Sequence, residues 1–285
     1  MPYFDCDGCQ LHYEEFGQGA PVLLLHGLGS STLDWEYQTQ VLAARYRVIA
    51  LDLRGHGRSD KPVEAYSMAG FASDVADLLD HLQPGPVHLV GISMGGMIGF
   101  QLGVDQPERL KSLTIVNSGP EVKAHSPSDY LEIAKRWTLS RLFSLESIAK
   151  VLGKRLFPKP SQIELRLKIE RRWPRNDKRA YLASLDAIIG WGVREHLARL
   201  SCPTLVVTGD RDYTPVARKE AYVQELPNAR LAVIEDSGHA TPMDQPERFN
   251  TLLLEFLDEV ERRSAAPLKP KAKPKLPRTR IAKPC

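Results

Sequence analysis

Along most of the chain, segments with the hydrophobic pattern of a β-strand alternate with segments that have the hydrophobic pattern of a helix. Between Met1 and Gly17, two short runs of alternating residues flank Asp7-Gly8, a pair typical of a two-residue hairpin turn. Further along, near-continuous apolar runs of strand length occupy 22–26, 47–53, 87–93, 110–117, 204–210 and 229–235. Such continuous runs are typical of strands that are buried on both faces of a parallel sheet.

Segments with apolar residues three and four positions apart lie between these runs. They occupy 33–45, 67–82, 94–105 and 216–225. This spacing predicts amphipathic helices, and a closing helix is predicted over 245–263 with Pro246 in its first turn. Strands that alternate with helices predict an α/β fold, in which helices cover both faces of a mostly parallel sheet.

The alternation stops between residues 120 and 200. Here the pattern is helical throughout 128–157, and further helical patterns occur around 161–172 and 177–197. The sequence therefore predicts an α/β core formed by 1–119 and 201–263, with a helical insertion at 120–200.

Three of the four tryptophans, Trp137, Trp173 and Trp191, lie in this insertion. Their large rings could line a substrate pocket over the edge of the sheet, or they could pack the insertion's own small core. The sequence leaves both interpretations open for each ring.

Composition is that of an ordinary globular protein, because 42% of the 285 residues are hydrophobic and 26% are charged. No run approaches the roughly 18 apolar residues of a membrane-spanning helix, so we expect no membrane span. The N-terminus has no basic segment followed by an apolar stretch, which leads us to expect a cytoplasmic protein.

Charge is divided unevenly along the chain. Nine of the 38 Lys and Arg residues, and none of the 35 Asp and Glu residues, lie from Arg262 onward, so the preceding part carries a formal charge of −6. The Pro- and Lys-rich segment 264–285 is predicted to be disordered. Its basic residues could contact a polyanion, although a solubilising or incidental extension is the favoured interpretation.

Cys6 and Cys9 form a CxxC pair that could indicate a metal site or a redox couple. The pair has no second Cys or His pair nearby, and it flanks the predicted Asp7-Gly8 turn. We therefore interpret both residues as thiols beside a turn, and we expect neither a metal nor a cofactor.

The segment Gly91-Ile92-Ser93-Met94-Gly95 stands between a predicted strand and a predicted helix. In this context a GxSxG sequence is typical of a sharp turn that exposes a nucleophilic serine hydroxyl above the sheet. The helix that follows directs its N-H groups at the negative charge that develops on the substrate oxygen. Ser93 is therefore the predicted nucleophile.

A serine nucleophile needs a general base, and His239 lies in a loop between the last predicted strand and the last predicted helix. Asp210 and Asp212 follow the strand before that, and either carboxylate could orient the histidine. The backbone N-H groups of Leu28 and Met94 are the predicted donors of an oxyanion hole.

Five motifs in this order resemble the α/β-hydrolase superfamily: His26-Gly27-Leu28-Gly29, the segment 52–60, Gly91 to Gly96, Gly209 to Asp212 and the segment 237–249. The resemblance covers about residues 1–261, and it is to enol-lactonase-like, cofactor-free haloperoxidase-like and carboxylesterase-like members. It implies an eight-stranded sheet, a cap formed by the insertion, and Asp212 as the acid, with Asp210 shaping the loop. It also implies that His56 belongs to a structural loop.

The resulting prediction is a serine hydrolase that cleaves a small-molecule carboxylic ester, lactone or thioester through an acyl-enzyme. A serine at position 93 argues against the dehalogenase and epoxide-hydrolase branches, whose nucleophile is a carboxylate. Two alternatives stay open: a non-catalytic member that binds a small molecule, and a C–C bond hydrolase or perhydrolase that uses the same residues. The acyl group and the oligomeric state are not predicted.

Overall fold

A computed structural model of the chain describes residues 2–265. Most of the segment 264–285, for which disorder and a polyanion contact were considered, lies outside the described residues. Ser264 and Ala265 are the last two residues of the closing helix.

Eight strands form one sheet, which confirms the predicted α/β-hydrolase architecture. The strands are β1 (Tyr3–Cys6), β2 (Cys9–Phe16), β3 (Ala20–Leu25), β4 (Tyr46–Leu51), β5 (Val87–Ile92), β6 (Leu110–Val116), β7 (Thr204–Gly209) and β8 (Ala229–Ile234). Their order across the sheet is β1-β2-β4-β3-β5-β6-β7-β8. The last six strands in this order are parallel, and β2 pairs antiparallel with both β1 and β4.

Ten α-helices accompany the sheet in the described part of the chain. They are α1 (Glu36–Ala43), α2 (Met68–Leu82), α3 (Met94–Asp105), α4 (Pro127–Leu142), α5 (Leu145–Leu156), α6 (Ile163–Arg172), α7 (Lys178–Ile188), α8 (Val216–Val223), α9 (Thr241–Asp244) and α10 (Pro246–Ala265). The helices α4 to α7 lie between β6 and β7, in the segment where the sequence predicts the insertion.

Side chains of β3 alternate between two hydrophobic cores, one on each face of the sheet. Leu23 and Leu25 belong to the core that includes residues of α2 and α3. Val22 and Leu24 belong to the core that includes residues of α10. All four side chains are fully buried, as expected for a parallel strand that is covered on both faces.

The opening hairpin has the predicted two-residue turn. Asp7 and Gly8 both have positive φ angles, 51° and 82°, and Cys6 pairs with Cys9 across the strands. Both thiols are buried, and the Cys6 thiol contacts Asp74 and Asp77 of α2 at 3.3 Å. Burial raises the pKa of both thiols. Residues 2–265 contain no cluster of His, Cys, Asp and Glu suited to a metal ion.

The insertion differs from the prediction at two points. The helical pattern over 128–157 forms two helices, because Phe143 is extended and the Ser144 hydroxyl caps α5 by accepting from the Ser147 N-H. The pattern over 177–197 forms α7 only as far as Ile188, because Ile189 is extended and Gly190 adopts a positive φ of 82°. A short 3-10 helix then follows at Arg194–Arg199.

The two ends of the insertion pair with each other where they leave the sheet. Glu121 and Gly192 form an antiparallel bridge. The Val122 N-H donates to the Trp191 carbonyl at 2.8 Å, and the Val193 N-H donates to the Pro120 carbonyl at 2.8 Å. The insertion is therefore joined to the core by this paired stretch.

Within the described range, none of the helices combines the length and the apolar character needed to cross a membrane.

Candidate active site

Ser93 stands on a sharp turn between β5 and α3, as predicted. Its backbone has φ 53° and ψ −116°, a conformation that is unfavourable for a residue with a side chain. The neighbouring glycines make the turn possible, because a Cβ on Gly91 would overlap the Gly95 carbonyl and a Cβ on Gly95 would overlap the Leu25 carbonyl. The spacing of glycines around Ser93 is thus a packing requirement of the turn.

Asp212 and His239 meet beside the carboxyl ends of the strands. The Asp212 Oδ1 atom lies 2.7 Å from His239 Nδ1, and the Asp212 side chain is fully buried. Burial opposes ionisation of Asp212, but the hydrogen bond and charge of His239 and the charge of Lys219 outweigh it, so the pKa of Asp212 falls to about 2. Asp210 instead accepts the Ser237 N-H at 3.0 Å, as expected of a residue that shapes the loop.

Lys219 of α8 is a member of this site that the sequence analysis missed. Its side chain is 2% exposed, and Nζ lies 2.6 Å from Asp212 Oδ2. Nζ also donates to the Thr214 carbonyl, and the Thr214 hydroxyl donates to the same Asp212 oxygen at 2.7 Å. Burial lowers the pKa of Lys219, an effect that the Asp212 charge opposes. A signal existed in the sequence, since Lys219 stands three residues from both Val216 and Tyr222 on the apolar side of α8.

Asn117, directly after β6, ties the end of β7 to the loop that carries His239. Its Nδ2 atom donates to the His239 carbonyl and to the Thr241 hydroxyl, both at 2.7 Å. Its Oδ1 atom accepts the Gly209 N-H at 2.9 Å. Asn117 is buried and has a positive φ of 46°, which marks it as a second strained residue at this edge of the sheet.

The turn that carries Ser93 is supported from α8 through two residues. The Tyr222 hydroxyl donates to the Ser118 carbonyl at 2.9 Å, and the Ser118 hydroxyl donates to the Ser93 carbonyl at 2.6 Å. Helix α8 therefore contacts Asp212 directly through Lys219 and reaches Ser93 through Ser118.

The loop after β3 lies next to Ser93. His26 is buried, and its Nε2 accepts the Leu53 N-H at 3.1 Å, which leaves the proton on Nδ1 to donate to the Gly27 carbonyl at 2.8 Å. A Cβ on Gly27 would stand 3.4 Å from the Ser93 Cβ. The predicted oxyanion donors thus lie in segments beside the serine, since Leu28 follows Gly27 and Met94 follows Ser93.

His56 is a buried residue of a structural loop. Its Nδ1 lies 3.0 Å from the Arg54 carbonyl, and its ring centroid is 5.2 Å from that of His26. Burial, with a smaller contribution from His26, lowers the pKa of His56 to about 3, so the imidazole is neutral around neutral pH.

The three tryptophans of the insertion occupy different places. The Trp173 ring packs directly on Gly29 of the loop after β3, and the neighbouring Asn176 Nδ2 donates to the Gly29 carbonyl at 2.7 Å. Trp137 is 42% exposed and donates to Asp186 of α7. Trp191 donates to Gln101 of α3 at 2.7 Å. The structure therefore brings Trp173 to the loop that contains Leu28.

Tyr213 is a second residue of the site that the sequence analysis missed. Its ring stacks on the His239 ring with centroids 4.0 Å apart, and the Arg155 guanidinium of α5 lies 4.7 Å from the Tyr213 centroid. Tyr213 is 38% exposed, and desolvation of its hydroxyl raises its pKa, against smaller opposing effects of Arg136, Arg155 and Ser93. No sequence signal separates this tyrosine from any other loop residue.

Comparisons with known proteins show the family of the chain. Residues 22–252 match the family model described as the alpha/beta hydrolase family. The chain belongs to the α/β-hydrolase family. A putative carbamate hydrolase RutD of Azorhizobium caulinodans is 30% identical over 284 residues, which cover 92% of this chain and 100% of that protein.

Two further members of the α/β-hydrolase family are similar over most of their length. The 3-oxoadipate enol-lactonase 2 of Acinetobacter baylyi is 32% identical over 84% of this chain and 90% of its own. The solved structure of a thermophilic esterase from Thermogutta terrifontis has a TM-score of 0.80 and 31% identity, over 90% of this chain and 97% of that one. Members similar to this chain thus include proteins described as hydrolases of different bonds.

Proposed function

We propose that this α/β-hydrolase cleaves a small-molecule carboxylic ester, lactone or thioester through an acyl-enzyme on Ser93. The observation that carries the proposal is the 2.7 Å contact between Asp212 Oδ1 and His239 Nδ1. This contact keeps a proton on Nδ1, so the His239 Nε2 atom is the free acceptor. A base of this kind is what a serine hydroxyl requires, because the hydroxyl itself is a weak nucleophile.

In the proposed reaction, the Ser93 Oγ atom attacks the carbonyl carbon while His239 Nε2 takes its proton. The Leu28 and Met94 N-H groups stabilise the oxygen that becomes negative. His239 then protonates the leaving group, and the C–O or C–S bond breaks. Water, deprotonated by His239, attacks the acyl-enzyme and releases the acid, which restores Ser93.

The insertion would cover this site and limit the size of the substrate. Support comes from Trp173, whose ring packs on Gly29, next to Leu28. The names of the enol-lactonase and esterase relatives support a carbonyl substrate with an oxygen leaving group.

Labelling with a fluorophosphonate probe tests the proposed nucleophile. We expect the wild-type protein to be labelled and to hydrolyse short aryl esters or simple lactones. In Ser93→Ala, labelling should be lost and turnover should fall by a factor on the order of 10⁴ or more. Circular dichroism and a thermal melt of the variant provide the control for folding.

A folded wild-type protein that neither labels nor turns over would contradict the proposal and favour a non-catalytic protein that binds small molecules. Ser93-dependent labelling without ester or lactone turnover would instead direct the search to C–C bond hydrolysis or perhydrolysis.

A further inference from the structure

A buried lysine next to a reactive pair of side chains requires an explanation. Removing an ammonium group from water is costly, and lysine is among the residues that are least often buried. Lys219 is nevertheless 2% exposed, and it lies on the fully buried carboxylate of Asp212. A neutral side chain of similar volume would fill this space without the cost of desolvation.

The two oxygens of Asp212 have separate partners. Oδ1 faces His239 Nδ1 at 2.7 Å, while Oδ2 accepts from Lys219 Nζ at 2.6 Å and from the Thr214 hydroxyl at 2.7 Å. The donors on Oδ2 prevent the carboxylate from rotating and therefore keep Oδ1 directed at the imidazole.

We propose that Lys219 is a positioning residue that acts through Asp212: it fixes the carboxylate against His239, and its positive charge limits how strongly that carboxylate stabilises the protonated imidazole. This inference rests on the proposed function, since it assigns Lys219 a part in the acid–base step. An imidazole that is held less strongly as a cation releases its proton more readily to the leaving group.

The size of the charge effect follows from Coulomb's law. The ammonium and the imidazole contact different oxygens of one carboxylate, which separates them by roughly 6 Å. With an effective dielectric constant of about 20, removal of the ammonium should move the acid limb of the pH–rate profile upward by about one to two pH units.

Other charged or titratable groups lie around the pair, and a substitution of Lys219 alone leaves their chemistry unchanged. Tyr213 stacks on His239, Arg155 lies on Tyr213, and Arg136 acts on Tyr213 from α4. Further groups are Tyr222 and Arg218 on α8, and Asp210, Asp236 and Asp244 around the loop that carries His239. Lys159 and Arg211 both pair with Asp236. A shift of the profile on changing Lys219 alone is therefore attributable to that residue.

Three substitutions separate charge from positioning. Lys219→Arg keeps the charge and the donors, Lys219→Gln keeps a donor without the charge, and Lys219→Met removes both. Arg218→Met is the matched control, because it removes the same charge from the neighbouring position of α8, where the exposed guanidinium pairs with Asp129 of α4 at 2.7 Å.

The measurement is kcat and KM for an aryl ester between pH 4 and 9, with active sites counted by fluorophosphonate labelling. We expect the acid limb to move upward by about one to two pH units in the Gln and Met variants. It should stay at the wild-type position in Lys219→Arg, and it should move much less in the Arg218→Met control, because the Arg218 guanidinium is exposed and screened by water. We also expect kcat to fall about tenfold or more in Lys219→Met, and less in Lys219→Gln, with little change in KM.

An unchanged acid limb in a folded Gln or Met variant would overturn the charge effect, and equal kcat values in these two variants would overturn the positioning effect. If Lys219→Met does not fold, comparing Lys219→Gln with Lys219→Arg still shows whether loss of the positive charge moves the acid limb of the pH–rate profile. If wild-type turnover survives in Ser93→Ala, the proposed function itself is wrong, whatever the Lys219 variants show.

Discussion

The strands around Ser93 and the first helix of the insertion, α4, differ in how far their side chains are buried. Every residue of β5 and β7 is buried, and the side chains of the sheet belong to two continuous cores. Among the sixteen residues of α4, in contrast, only Ser140 is buried, and Tyr130, Leu131 and Leu142 are more than 60% exposed.

Both apolar and polar contacts attach the rest of the insertion to the core. Leu145, Ile169 and Leu185, from α5, α6 and α7, belong to the same hydrophobic core as Leu23 and Leu25 of β3. Arg172 and Lys168 of α6 pair with Glu36, Lys159 pairs with Asp236, and Asn176 donates to the Gly29 carbonyl. Partly exposed ion pairs of this kind contribute little each, whereas buried apolar area contributes in proportion to its extent. The comparison teaches that the core fixes the strand ends at which Ser93 and Asp212 stand, while the outer surface of α4 can change at small cost.

The largest difference in stability should come from truncating a leucine to alanine in each of the two regions. Leu89→Ala in β5 deletes a fully buried side chain and should lower the free energy of unfolding by about 3 kcal/mol. Leu131→Ala in α4 deletes a side chain that is 69% exposed, and it should change stability by less than about 0.5 kcal/mol. Urea unfolding of both variants measures the difference, and equal losses would show that α4 is packed as tightly as the sheet.

A second pair of variants compares two asparagines. Asn117→Ala leaves the Gly209 N-H and the His239 carbonyl without their partner, so we expect a loss of about 2 kcal/mol and at least a tenfold lower kcat/KM. Asn176→Ala removes the contact with the Gly29 carbonyl at the insertion, and it should cost about 1 kcal/mol. Thermal melts and ester turnover test both. A kcat/KM that falls equally in the two would mean that the insertion positions the reacting groups as firmly as the core does.

The smallest predicted effect is the pH dependence of the contribution that buried Asp52 makes to the free energy of unfolding. Burial opposes ionisation of Asp52, but the hydrogen bond with His12 and further donors hold its pKa at about 2, below the unfolded value of 3.8. Its stabilising contribution is therefore present above pH 4 and lost as the pH falls from about 4 to 2. Asp52→Asn should cost about 1 to 2 kcal/mol at pH 7 and progressively less below pH 4. Unfolding curves from pH 2 to 7 measure this, and a cost independent of pH would contradict the assignment.

The same contrast explains what could be predicted from the sequence. The strands, the turn at Ser93 and the positions of Asp212 and His239 follow from local patterns, because each depends on a strand end and on the residues beside it. Asn117 could not be assigned, since its partners Gly209, His239 and Thr241 are brought to it only by the folded sheet. Lys219 was missed for another reason: its partners Asp212 and Thr214 are close in sequence, but a lysine in an amphipathic helix is ordinarily exposed. In the insertion, the break at Ser144 depends on a single capping side chain, which a periodic apolar pattern does not reveal.

The paired stretch at Glu121 and Gly192 has a consequence for protein engineering. Because the chain leaves and re-enters the core at neighbouring positions, the helices between them form a module that another helical segment could replace. Asp212, Lys219 and His239 all follow the module in the chain, and Ser93 precedes it. A graft at this stretch would have to keep a cation in the place of Arg155 of α5, because Arg155 lies on Tyr213 and Tyr213 stacks on His239.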